Sequence, residues 1–159
     1  MTERSPASAA ELDRVETLID GWLATELAFN PAVDAVDRGE DDERRWYVRL
    51  HGEEKSTFTV WFTLRQRTLH YEVYFLPAPV ENEAAFYGYL LGRNRSMYGA
   101  AFAIGEEDAV YLVGQLDVAA VSSLELDRIV GSLYAYIERA FPAALRLGFA
   151  AAWRARSGL

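Results

Sequence analysis

Two histidines, His51 and His70, are the first residues in this chain of 159 whose chemistry invites attention. His70 and Glu72 stand two apart in an alternating segment. His51 has the same parity in another segment, so a site of two histidines and one carboxylate can be drawn. Matches of three residues are permissive, and two histidines often share a face by chance. No metal is expected from them. The chain has no cysteine, which removes disulfides, thiolate zinc sites, iron–sulfur clusters and cysteine nucleophiles together. It has no G-x-S-x-G elbow, no glycine loop to cradle phosphates and no H-E-x-x-H helix. Glu106 and Glu107 are adjacent carboxylates at a hairpin tip, too solvated for the raised pKa of a general acid. These residues form no catalytic constellation, so the expectation is a non-enzymatic protein without a cofactor.

The elements that carry these side chains are legible from periodicity. Ser8 and Glu11 have capping-box spacing. Leu12, Val15, Leu18, Ile19, Trp22, Leu23 and Leu27 then recur at helical intervals. Asn30-Pro31 predicts the stop, because the residue before proline avoids helical geometry. Residues 34–45, which include Glu40-Asp41-Asp42-Glu43, read as a solvated acidic loop. Beyond them the period changes to 2 in three runs, 46–51, 57–64 and 69–75, rich in β-branched and aromatic residues. Their short links predict consecutive antiparallel hairpins. A second helix is expected after Pro77 and Pro79, with Glu81 and Glu83 in its first turn, running through Phe86, Tyr89 and Leu90 toward Met97. Two more strands, 100–104 and 109–116, form a hairpin. A third helix then starts at the Ser122/Glu125 capping box. Pro142 is expected to kink or break it, with a short helical arm beyond. The predicted fold is α+β, a five-stranded antiparallel sheet with three helices in the order α-β-β-β-α-β-β-α. A flexible tail over residues 1–7 precedes a single domain over 8–159.

Strand phase divides the side chains of the sheet. Val48, Leu50, Phe58, Val60, Phe62, Leu69, Tyr71, Val73 and Phe75 point one way, toward the helices. Tyr47, Arg49, His51, Thr59, Trp61, Thr63, His70, Glu72 and Tyr74 point the other way, joined by Tyr111, Val113 and Gln115. A wholly solvated face favours threonine, lysine and glutamate, whereas flat rings with polar tips suit interfaces. Two readings stay open: a partner-binding surface, or cross-strand aromatic pairs that stabilise the sheet. On the partner-binding reading the contact residues are Tyr47, Arg49, Trp61, Tyr74 and Tyr111. A competing reading makes this face a small-ligand or metal sensor, with His51, His70 and Glu72 as polar anchors. In the second helix Gly88 and Gly92 stand four apart and bare one ridge. Each glycine costs roughly 1 kcal/mol against alanine in a helix, so this ridge is expected to pack closely, on its own sheet or in a homodimer interface.

Composition bounds the function classes. The chain carries 16 basic and 24 acidic side chains, a net −8. That argues against nucleic acid, whose phosphates require a basic footprint. Residues 1–54 hold 14 acids and 6 bases, so the entire excess lies there, while the last 20 residues carry Arg146, Arg154 and Arg156 and no acid. Such polarity can orient a partner or a second copy. No apolar run approaches the roughly 18 residues that span a bilayer, and the N-terminus lacks the pattern of a signal peptide. A cytoplasmic protein without membrane contact is expected.

Three segments carry a resemblance: WYVRLHGEEKSTFTVWFTLRQRTLHYEVYFLPAPVEN, YLLGRNRSMYGAAFAIGEEDAVYLVGQLDV and LDRIVGSLYAYIERAFPAALRLGF. In this order, over about residues 10–150, the chain resembles the actinobacterial branch of the YbjN-type bacterial sensory-transduction regulators. That family is similar in fold to the small chaperones of type III secretion systems, whose element order matches the one read above. The resemblance implies a dimer that holds a protein or peptide segment, with no established enzymatic activity. It transfers no functional residues. Function belongs to sites and not to folds.

Overall fold

The computed structural model describes residues 5–40 and 43–158. Helix α1 (Ala9–Phe29) begins where expected, with the Ser8 hydroxyl accepting from the Glu11 amide at 3.2 Å, and ends at Asn30 before Pro31. Strand β1 (Val33–Arg38) follows, then β2 (Arg45–Leu50), β3 (Phe58–Leu64) and β4 (Thr68–Leu76). Helix α2 (Glu83–Asn94) precedes the hairpin of β5 (Ala101–Ile104) and β6 (Val110–Asp117). Helix α3 (Ser123–Gly148) starts with Ser122 accepting from Glu125, and α4 (Ala150–Ser157) closes the order. All strand pairs are antiparallel, in the sheet order β1-β2-β3-β4-β6-β5.

The fold class is α+β as expected, but the sheet has six strands and the described residues hold four helices, not five and three. The additional strand lies in the segment read as an acidic loop. Alone, VDAVDR has little strand propensity. Pairing with β2 supplies it with a ladder, Val36 opposite Val48 and Asp37 opposite Tyr47. Arg38 then bonds to Glu16 and Asp20 of α1 and lies 5.3 Å over the Trp46 ring. Of the acidic run, Asp41 and Asp42 lie outside the described residues, as do residues 1–4 of the expected tail. Ala7, still within that tail, donates its amide to the Gln66 carbonyl at 2.7 Å.

Pro142 does not break α3. Its ring removes one backbone donor, but Ile137, Ala140 and Ala144 are fully buried around it and hold the turn in place. The chain breaks instead at Phe149, where φ −146° and ψ 58° leave helical space, and the expected arm becomes a separate helix. Glu81 does not enter α2. Its carboxylate accepts the Ala150 amide at 2.6 Å and caps α4.

All helices contribute to one core against one face of the sheet. Ile19, Trp22 and Leu23 of α1, Phe86 and Leu90 of α2, and Ile129, Leu133 and Ile137 of α3 pack with Val48, Val60, Phe62, Leu69 and Val73. Both core indoles keep a hydrogen-bond partner: Trp46 Nε1 donates to Asp20 and Trp22 Nε1 to Asp127, each at 2.8 Å. Close backbone approach is needed at Gly114, where a Cβ would stand 2.3 Å from the Gly99 carbonyl and from the Tyr71 ring. Gly21 in α1 is open, with nothing within 4 Å. We therefore expect Gly114→Ala to destabilise by ~1–3 kcal/mol through overpacking, and Gly21→Ala to stabilise by up to ~1 kcal/mol through helix propensity. Urea denaturation of both variants checks the opposite signs.

Candidate functional site

The strand phase read from sequence is the phase of the structure. Val48, Val60, Phe62, Leu69 and Val73 are fully buried, and the residues that alternate with them form the face without helices. Antiparallel register arranges that face in rows. One row runs Asp37, Tyr47, Trp61, Glu72, Val113 and Ala101, while Thr63, His70 and Gln115 continue a second from Arg45. Tyr74 stands opposite Tyr111, which stands opposite Ala103.

Four of the five predicted contact residues pair off as rings. Tyr47 meets Trp61 edge to face at 5.8 Å, and Tyr74 meets Tyr111 edge to face at 5.6 Å. Such pairs add ~0.5–1.5 kcal/mol beyond area burial, so the structural role of these rings is real. It does not hide them: Trp61 remains 40% and Tyr74 44% exposed. Arg49, the fifth, is exposed on β2 opposite Thr59 and has no ion-pair partner among the described residues. Trp61 and Tyr111 also line a depression of about 440 Å³ with Arg45 and Glu72, closed at one end by the β5–β6 turn. Gly105 belongs to that turn because a Cβ there would stand 2.6 Å from the Tyr111 ring. Burial, followed by the Glu106 and Glu72 carboxylates, pushes the Tyr111 hydroxyl above its ordinary 10.0 and keeps it a neutral donor. A hydrogen bond that Arg45 donates to the Tyr47 oxygen and the nearby carboxylates of Glu43 and Glu72 hold Arg45 protonated.

Sequence reading missed Arg45 as part of this site. Its parity with Tyr47 and Arg49 was available, but its place beside Glu72 depends on β2, β3 and β4 lying side by side. The histidines do not come together. His70 shares its row with Arg45 at the start of β2, whereas His51 follows Leu50 at the other end and bonds Asp34 of β1 at 2.7 Å. Among the described residues no group of three or more such side chains is placed to hold a metal ion. No described helix is long and apolar enough to cross a membrane.

Gly88 and Gly92 lie on the outer surface of α2. A Cβ at either would meet nothing within 4 Å, so the bare ridge is not packed on the protein's own sheet. Leu91 beside it is 67% exposed, and Ile104 on the edge strand β5 is 58% exposed. Between them runs an apolar groove of about 270 Å³ lined by Tyr87, Leu90, Phe102 and Val110 as well.

The fold matches a chain of the ExsC–ExsE complex with a TM-score of 0.58 at 18% identity, over 82% of this chain and 95% of that one. It also matches a chain of the HopA1–SchA chaperone–effector complex with a TM-score of 0.57 at 14% identity, over 86% and 98%. At that identity the likeness is one of fold. The chain itself belongs to the YbjN family, whose model, described as "Putative bacterial sensory transduction regulator", matches residues 12–146. It is similar to an uncharacterised protein of Mycobacterium tuberculosis, 34% identical over 102 residues, which are 64% of this chain and 56% of that protein. It is also similar to one of Mycobacterium leprae, 30% identical over 105 residues, 66% and 57%. The chain thus spans little more than half the length of these relatives.

His70 gives this face a pH signature. Its partial burial, with the Arg65 guanidinium nearby, pushes its pKa below the ordinary 6.5. Near pH 6.5 the folded chain therefore binds fewer protons here than the unfolded chain. The resulting stability is whole above that pH and is lost as pH falls through the folded value. An NMR titration is expected to place the His70 midpoint below 6.5, and His70→Gln to flatten the stability curve just below that pH.

Proposed function

We propose that this protein is a non-enzymatic, protein- or peptide-binding adaptor of the regulator or chaperone kind, acting in the cytoplasm, with the open aromatic face as its contact surface. The observation that carries this reading is the exposure of Trp61 and Tyr74 on a sheet face that none of the described helices covers. Tyr47 and Tyr111 brace the two rings, and Arg49, exposed on β2 and without an ion-pair partner among the described residues, supplies a cation on the same face. Rigid, paired rings lose little side-chain entropy on binding, which favours them as anchors. The solved chains with this fold come from complexes with protein partners, which supports a protein ligand here.

The reading includes a homodimer through α2. Two helical glycines with open Cβ positions let a second backbone approach closely, and Leu91 and Ile104 continue the apolar surface to the unpaired edge of β5. A second reading, a small-ligand sensor, is favoured by the depression between Arg45, Glu72, Trp61 and Tyr111. A ligand that binds only the folded state raises the melting midpoint by mass action, so a thermal-shift screen separates the two.

Tagged protein used for affinity capture from its own cytoplasm is expected to recover a partner that Trp61→Ala/Tyr74→Ala fails to recover, with circular dichroism unchanged. Equal recovery by the double variant removes the aromatic-face reading. Light scattering at high micromolar protein is expected to give twice the 17.9 kDa of one chain. Gly88→Glu/Leu91→Asp is expected to return it to the single-chain mass. A wild-type mass of one chain overturns the dimer.

A further inference from the structure

On the helical side, away from the open sheet face, α1 and α3 lie side by side and run in the same direction. Residues 17–30 of one accompany residues 123–134 of the other along two adjoining cavities of about 410 and 470 Å³. Both cavities are lined by Glu26 and Asp127, so the two form one groove with a pair of carboxylates at its waist. The first arm is flanked by Leu18 and Gly21, the second by Leu50, Val130, Gly131 and Tyr134. Glycine opens each arm: a Cβ at Gly21 or Gly131 would meet nothing within 4 Å.

The carboxylates are held, but not neutralised. Asp127 accepts from the Trp22 indole, and Glu26 accepts from the Asn30 amide, each at 2.8 Å. Neither forms an ion pair among the described residues. Burial pushes the Glu26 carboxyl above its ordinary 4.5, and the Asp127 carboxylate beside it adds to that rise. Glu26 and the solvent-exposed Asp127 are two acidic side chains in hydrogen-bond contact at the waist of a partly apolar groove, an arrangement that favours a cation satisfying both. A guanidinium does so best, since its planar fork offers donors to two carboxylates at once. The excess of acid over base in residues 1–54 adds a long-range field of the same sign.

We infer that the α1–α3 groove is a second docking surface, which takes a partner segment presenting arginine between apolar residues, the cation on Glu26 and Asp127 and the flanks along the two arms. This is independent of the aromatic face. The test uses the full chain labelled with 15N and the peptide acetyl-Gly-Leu-Arg-Leu-Gly-amide, with its citrulline analogue as the neutral isostere. The expected result is saturable shifts at the Trp22 indole and the Gly21 and Gly131 amides. The citrulline peptide, and the variant Glu26→Gln/Asp127→Asn, should each bind about tenfold more weakly. Gly131→Leu fills one arm without touching the carboxylates and should also weaken binding, which keeps the test decisive if the carboxylate variant misfolds. Trp61→Ala/Tyr74→Ala should bind as wild type does, so failure of the aromatic-face reading leaves this one standing. Equal binding of the citrulline peptide, equal shifts from spermidine, or the same shifts on concentrating the protein alone would each overturn it.

Discussion

The structure depends on a sheet that is buried on one face only. Its strands alternate with period 2, so every residue committed to the core turns its neighbours to the opposite side. Val48, Val60, Phe62, Leu69 and Val73 are fully buried, with α1 and α3 packed over them. Trp61 and Tyr74 are bare because the residues beside them are not. A shift of one residue in any central strand would exchange the two sets and bury charge in the core. The register is therefore fixed by the hydrophobic pattern, and the exposed aromatic face is its necessary complement.

Polar contacts then set where the helices lie on that sheet. Trp22 and Trp46 bring large apolar areas into the core while each keeps its indole proton on a carboxylate of an outer helix. Asp20 also receives Arg38, so one side chain of α1 ties β1 and β2 together. At the other end Glu138 of α3 accepts the amides of Glu54 and Lys55, and Arg156 of α4 pairs with Glu54. Lys55 lies 5.2 Å over the Phe141 ring, where burial lowers its pKa below the ordinary 10.5. The β2–β3 turn is thus anchored to the last two helices, and the sheet cannot slide beneath them.

With its helices on one side, the molecule offers two unlike surfaces. The sheet face presents rings braced in pairs, a shape suited to flat apolar contact with a few hydrogen bonds at the tips. The helical side presents the α1–α3 groove, where carboxylates replace rings and charge replaces area. The ridge on α2 is a third feature, made by the lack of side chains at Gly88 and Gly92 and continued by Leu91 and Ile104. Each surface places its demand on a different chemistry, which lets substitutions separate them.

The amino-acid sequence was enough to place the helices and the central strands, because their signals are local. The Ser8 and Ser122 caps, the stop at Asn30-Pro31 and the alternation in 57–64 each act within a few residues, and strand parity alone put Tyr47, Arg49, Trp61, Tyr74 and Tyr111 on one face. Strand β1 was not legible, since Asp34 and Asp37 argue against a strand until β2 and Arg38 supply its partners. Pro142 misled for the same reason: its local penalty is outweighed by a core that surrounds the turn. Arg45 beside Glu72, the separation of His51 from His70, and the meeting of Glu26 with Asp127 were decided by tertiary structure alone. Those contacts join residues on different elements, and distance along the chain carries no record of which elements will lie side by side.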